Sequence, residues 1–71
     1  MTVILYTRRG CHLCDQAKQA IDSVRRRGAF EYKEFDIDSD PKLRQMYDEE
    51  VPVITIDGAR ATVEELQRRV S

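Results

Sequence analysis

Tryptophan is absent from the chain, and histidine occurs once, cysteine and proline twice each, and glycine three times. Two cysteines and one histidine are too few for a closed four-ligand zinc site within one copy, and His12 lies between the cysteines themselves. Charge of one sign is missing as well: 12 basic side chains stand against 13 acidic ones. With five aromatic residues beside that balance, the chain carries no nucleic-acid footprint. Long apolar runs are lacking, since the longest is Val3-Ile4-Leu5-Tyr6, far short of the roughly 18 residues of a membrane span. The sequence also starts without a charged leader and apolar secretion segment, so a cytoplasmic location is expected. There is no linker, repeat or low-complexity tract, and residues 1–71 read as a single domain. A chain this short buries only about 60% of its unfolded surface, enough for one thin core with its active site on the fold's own edge.

What is present is ordered. Residues 1–30 hold six basic and two acidic side chains, residues 31–50 three and eight, and residues 51–71 three of each. The β-branched run Thr2 to Tyr6 ends at Thr7-Arg8-Arg9-Gly10 and predicts a buried strand feeding a glycine turn. Cys14, Ala17, Ile21 and Val24 then fall on one helical face, and Arg25-Arg26-Arg27 and Gly28 predict its end, with glycine as a left-handed stop. Phe30 to Ile37 alternates with a phase slip and predicts a second strand. Asp40-Pro41 marks a helix start with Leu43, Met46 and Tyr47 as its apolar stripe. Val51 to Ile56 is rich in β-formers, and Asp57-Gly58 predicts a hairpin. Thr62 and Glu65 suit a capping box for a last helix on Val63, Leu66 and Val70. The expected order is β-α-β-α-β-β-α, an α/β fold with a four-stranded mixed sheet flanked by three helices.

Cys11-His12-Leu13-Cys14 lies where the first strand gives way to the first helix, and three chemistries compete for it. A structural disulfide would close a loop worth only about 2 kcal/mol and would join nothing distant. Soft thiolates suit copper(I), and small copper chaperones carry CxxC after a first strand. Their order, β-α-β-β-α-β, lacks the helix that Asp40-Pro41 begins. Redox exchange follows from the spacing itself. Residues i and i+3 of a first helical turn share a face and can bridge with little backbone movement. Cys11 at the helix start meets unpaired N–H groups and the positive dipole end, whereas Cys14 sits one turn deeper on the apolar face. Cys11 is thus the expected nucleophile and Cys14 the resolving thiol.

In Leu5-Tyr6-Thr7-Arg8-Arg9-Gly10-Cys11-His12-Leu13-Cys14, in Phe35-Asp36-Ile37-Asp38 and in Val51-Pro52-Val53, the chain resembles the glutaredoxin-like branch of the thioredoxin superfamily. The resemblance implies a minimal glutaredoxin-type thioredoxin fold and a dithiol oxidoreductase acting on protein or low-molecular-weight disulfides. It implies a cis peptide before Pro52, with the backbone of Val51 pairing with substrate. Arg8 occupies the place of a basic residue that meets a carboxylate of glutathione, and His12 is a candidate for steadying the Cys11 thiolate. The expected substrate-binding residues are therefore Arg8, His12, Val51 and Pro52, with no metal site and no tightly bound cofactor. Glutathione, as co-substrate, or a reductase is the expected electron donor, and the protein is expected to be a monomer without membrane partners. Two rival functions remain at this point: a copper(I) or iron–sulfur carrier using the same thiolates, and a non-catalytic redox sensor of the same fold. The chain also departs from the glutaredoxin pattern. Glu50 replaces the threonine before Val-Pro, and Ala59-Arg60-Ala61-Thr62 fills the region of the Gly-Gly pair that holds the glutamyl carboxylate.

Overall fold

Alternation along the first strand decides how the molecule is layered. In the computed structural model, which describes residues 1–70, β1 spans Thr2–Thr7 and buries Val3, Leu5 and Thr7 while Thr2, Ile4 and Tyr6 turn to the other face. Helix α1 (His12–Arg25) follows, then β2 (Glu31–Asp36), α2 (Pro41–Tyr47), β3 (Val53–Ile56), β4 (Ala59–Ala61) and α3 (Val63–Val70). Short 3-10 turns at Ile37–Ser39 and Asp48–Glu50 bracket α2. The sheet order is β2-β1-β3-β4. β1 runs parallel to β2, with Thr2 opposite Glu31 and Thr7 opposite Asp36. It runs antiparallel to β3, with Val3 opposite Ile56 and Tyr6 opposite Val53. β4 completes the hairpin, and Asp57 (φ 50°) and Gly58 (φ 86°) both take the positive φ of a two-residue turn. This is the expected β-α-β-α-β-β-α order of a thioredoxin-like fold, with α2 standing where the copper-chaperone order has none.

One sheet face carries the main core. Val3, Leu5, Ile54 and Ile56 meet Ala17, Ile21 and Val24 of α1 and Leu66 of α3. The opposite face is covered more thinly, by Tyr6 packed between the rings of Phe35 and Tyr47, with centroids 5.9 and 4.6 Å away.

Three local expectations are corrected. Gly28 is not a left-handed stop: α1 closes on Arg26 in right-handed geometry, and positive φ among the glycines is confined to Gly10 and Gly58. Gly28 serves close approach instead, because a Cβ there would stand 2.5 Å from Val70 Cγ1. The phase slip in the second strand is a change of face within unbroken pairing, since Tyr32 packs on the main core and Phe35 stacks on Tyr6 across the sheet. The strand ends at Asp36, one residue before the expected Ile37, which is fully buried in the following 3-10 turn. The stripe assigned to α2 is only partly used. Leu43 and Tyr47 are half-buried, whereas Met46 is 59% exposed and α2 buries none of its residues. Asp40 caps this helix as expected, accepting from the Lys42 N–H at 2.9 Å. Among the described residues no helix is long and apolar enough to cross a membrane.

Candidate active site

Gly10, at φ 76°, makes the turn that carries the chain from β1 into α1, a backbone region that only glycine enters without cost. Cys11 is then the N-cap of α1, in extended geometry, and its Sγ accepts a hydrogen bond from the Cys14 N–H at 3.1 Å. The carbonyl of Cys11 accepts from the Asp15 N–H at 3.2 Å, the first bond of the helix. Cys11 and Cys14 are joined as a disulfide, with Cα atoms 5.2 Å apart. The two sulfurs have unlike surroundings: Cys11 is half-buried, and Cys14 is wholly buried on the same stripe as Ala17, Ile21 and Val24. His12 and Leu13 between them face outward, Leu13 with 62% exposure.

Val51 and Pro52 are half-buried and joined by a cis peptide, as the resemblance implies. Because Val53 lies opposite Tyr6, the Val51-Pro52 segment comes to the end of β1 from which the chain turns toward Cys11. Topology thus brings the cysteines and the proline segment to one end of the sheet.

Arg8 follows β1 at that same end, and its guanidinium is engaged by the chain itself. Nε and Nη2 grip the Asp38 carboxylate at 3.1 and 2.8 Å, while Nη1 reaches the carbonyl and carboxylate of Asp48 at 3.1 and 3.4 Å. These are four bonds from a group with five N–H donors. The hydrogen bond to Asp38 raises the Arg8 pKa above its usual value, and the same bond holds the Asp38 carboxyl below its own. Asp38 enters the sequence reading only as the end of Phe35-Asp36-Ile37-Asp38, and neither it nor Asp48 has a role there as a partner of Arg8. Their only signal there is the opposition between a basic first block and an acidic second one.

The two departures from the glutaredoxin pattern also meet. Glu50 Oε1 accepts from Arg60 Nη1 at 3.1 Å, which joins the residue before Val51 to β4. On the other side of Arg8, a groove of about 270 Å³ runs among Thr7, Arg9, Lys18, Glu34 and Asp36, and neither cysteine lines it. Among the described residues no three His, Cys, Asp or Glu side chains gather as a metal-binding group.

Comparison with known proteins agrees with this geometry. The model of the family described as Glutaredoxin-like domain (DUF836) matches residues 2–71. Among solved structures, the chain is similar to the structural-genomics target protein XcR50 from X. campestris. The X-ray structure of XcR50 aligns with a TM-score of 0.75 and 32% identity over 94% of this chain and 92% of that one. Its solution structure aligns at 0.66 and 39% identity over 89% and 78%. The thioredoxin-like protein BC3987 aligns at 0.67 and 27% identity over 93% and 96%. No curated protein matches the chain.

Proposed function

The chain belongs to the glutaredoxin-like domain family, and from that premise we propose that it is a thiol–disulfide oxidoreductase that reduces protein or low-molecular-weight disulfides. The observation that carries this reading is the asymmetry of the pair. Cys11 is reachable at a helix start with an N–H on its sulfur, and Cys14 is closed off from solvent one turn behind it.

In the reduced protein the Cys11 thiolate attacks one sulfur of the substrate disulfide. A Cys11–substrate bond forms, the substrate S–S bond breaks, and the departing thiolate takes a proton from solvent. Cys14, deprotonated, then attacks Cys11 Sγ. The Cys11–Cys14 disulfide forms and the second substrate thiolate leaves, so that the substrate gains two electrons and the protein loses two. Glutathione or a reductase returns the pair to the dithiol. Burial of Cys14 keeps the first attack on Cys11, and closeness makes the second step effectively unimolecular. The backbone of Val51, ahead of the cis Pro52, offers an extended edge for a peptide substrate. Exposed His12 stands beside the attacking sulfur.

Replacing Cys14 with serine tests the mechanism. A stable mixed disulfide on Cys11, identified by mass spectrometry after incubation with a disulfide-bridged peptide, is expected. Capture at neither cysteine overturns it. Turnover with glutathione and its reductase, set against turnover with a thioredoxin reductase, identifies the donor. Turnover with neither, together with no capture, leaves the fold as a redox sensor.

A further inference from the structure

Arg8 stands three residues before Cys11, and Asp48 stands three residues before Val51. Between these positions run the two segments that carry the reacting sulfur and the cis Pro52. The Arg8 guanidinium ties them together, since Nη1 holds both the backbone carbonyl and the carboxylate of Asp48. Its other edge grips Asp38, in the 3-10 turn after β2, so one side chain joins three connections of the fold, β1 to α1, β2 to α2 and α2 to β3. The segment it holds needs such a tie. Asp48 ends α2 at φ 20° and ψ −97°, and it opens a 3-10 turn that lacks a side-chain cap. α2 itself, which buries none of its residues fully, steadies that turn by packing only through Tyr47 on the Tyr6 ring.

We propose that Arg8 is a positioning residue, a clamp that fixes the Val51 backbone at its working distance from Cys11. This rests on the oxidoreductase reading above and assigns Arg8 a different part from the one the resemblance implies. A guanidinium whose fork is already filled by Asp38 and Asp48 sets the geometry of the site, and substrate carboxylates are not its ligands.

The tests compare kinetics on two disulfides. A disulfide-bridged peptide uses the Val51 edge, and 2-hydroxyethyl disulfide has no backbone to lay along it. In Asp48→Ala, which keeps the carbonyl bond and loses only the carboxylate one, the loss runs the same way but is smaller; in Arg8→Met kcat/KM for the peptide falls about tenfold more than for 2-hydroxyethyl disulfide, through KM. That is a tenth of the roughly 10²-fold that a 1 Å misplacement can cost. The double variant loses no more than Arg8→Met alone, because removing the guanidinium already breaks both bonds to Asp48. Arg8→Lys, which keeps the charge but not the fork, behaves like Arg8→Met. Equal losses on both disulfides, additive losses, or full rescue by lysine overturn the proposal. So does tighter binding of oxidised glutathione by Asp38→Ala or Asp48→Ala, which is what a freed carboxylate-binding arginine would give. Hydrogen exchange at the Asp48 amide, which donates to the Arg44 carbonyl, reads the clamp without turnover. Faster exchange in folded Arg8→Met supports the clamp even in a chain that reduces neither disulfide, a result that would sink the proposed function alone. Unchanged exchange refutes the clamp whatever the activity.

Discussion

Reducing the Cys11–Cys14 disulfide exposes one sulfur to a calculable influence. Cys11 Sγ accepts from the Cys14 N–H at 3.1 Å, and it caps a helix of 14 residues. A hydrogen bond to a charged partner contributes about 1.5 kcal/mol at the low end, and a helix N-terminus about 0.5. The low end is used because Asp15, in the first turn, acts against a thiolate. The sum of about 2 kcal/mol shifts the balance from thiol toward thiolate about thirtyfold. Thiolate at pH 7 then rises from roughly 3% to roughly 50%, while a Brønsted slope of about 0.5 cuts intrinsic nucleophilicity about sixfold. The rate of attack therefore gains only about threefold. Most of the benefit goes to Cys11 as a leaving group when Cys14 displaces the substrate. The assay is the pH dependence of iodoacetamide alkylation in Cys14→Ser, which keeps the backbone N–H. An inflection at 8.5 or higher refutes the reasoning, and with it the role given to the helix start.

Two further outcomes test the fold around the site. Leu66 is the buried anchor of α3, so Leu66→Ala should remove about 2–5 kcal/mol out of the roughly 4–10 expected for a domain of this length. Thermal melting followed by circular dichroism checks this, and a loss below 1 kcal/mol refutes the packing described. The Tyr32 phenol is pushed up to about 12, chiefly by burial and then by the charges of Glu34 and Asp22, with Arg25 opposing from 5.0 Å over its ring. The folded state keeps a proton that the unfolded chain gives up from about pH 10, so this group's contribution to stability declines between about pH 10 and 12. Absorbance titration at 295 nm should lose its component near pH 12 in Tyr32→Phe, and an unchanged alkaline limb contradicts the assignment.

The sequence carried the fold because its signals were local and agreed with one another. Asp40-Pro41 marks a helix start wherever it occurs, Asp57-Gly58 supplies the positive φ that its hairpin demands, and the spacing of Cys14, Ala17, Ile21 and Val24 admits one helical face. Where the reading failed, the deciding partner was distant. Gly28 looked like a helix stop, but Val70 at the other end of the sequence accounts for it. Leu43, Met46 and Tyr47 have the period of a buried stripe, yet the sheet face beneath them is taken largely by Tyr6 and Phe35. At the site, spacing made the cysteine pair legible, and likeness marked Pro52. The engagement of Arg8 by Asp38 and Asp48 was not legible, because those carboxylates lie 30 and 40 residues away along the chain.

The exposure of α2 divides the molecule by rigidity. The helix bearing the sulfurs is seated in the main core, so the proposed exchange would take place on a stationary platform. The helix on the opposite face borders the segment leading to Val51 and is held chiefly by polar ties, which open at lower free energy than packed cores do. Its outward residues, Lys42, Gln45 and Met46, are free to change at within about 0.5 kcal/mol each. Client choice can therefore drift, or be engineered, on the compliant half while the redox pair on the stiff half stays untouched.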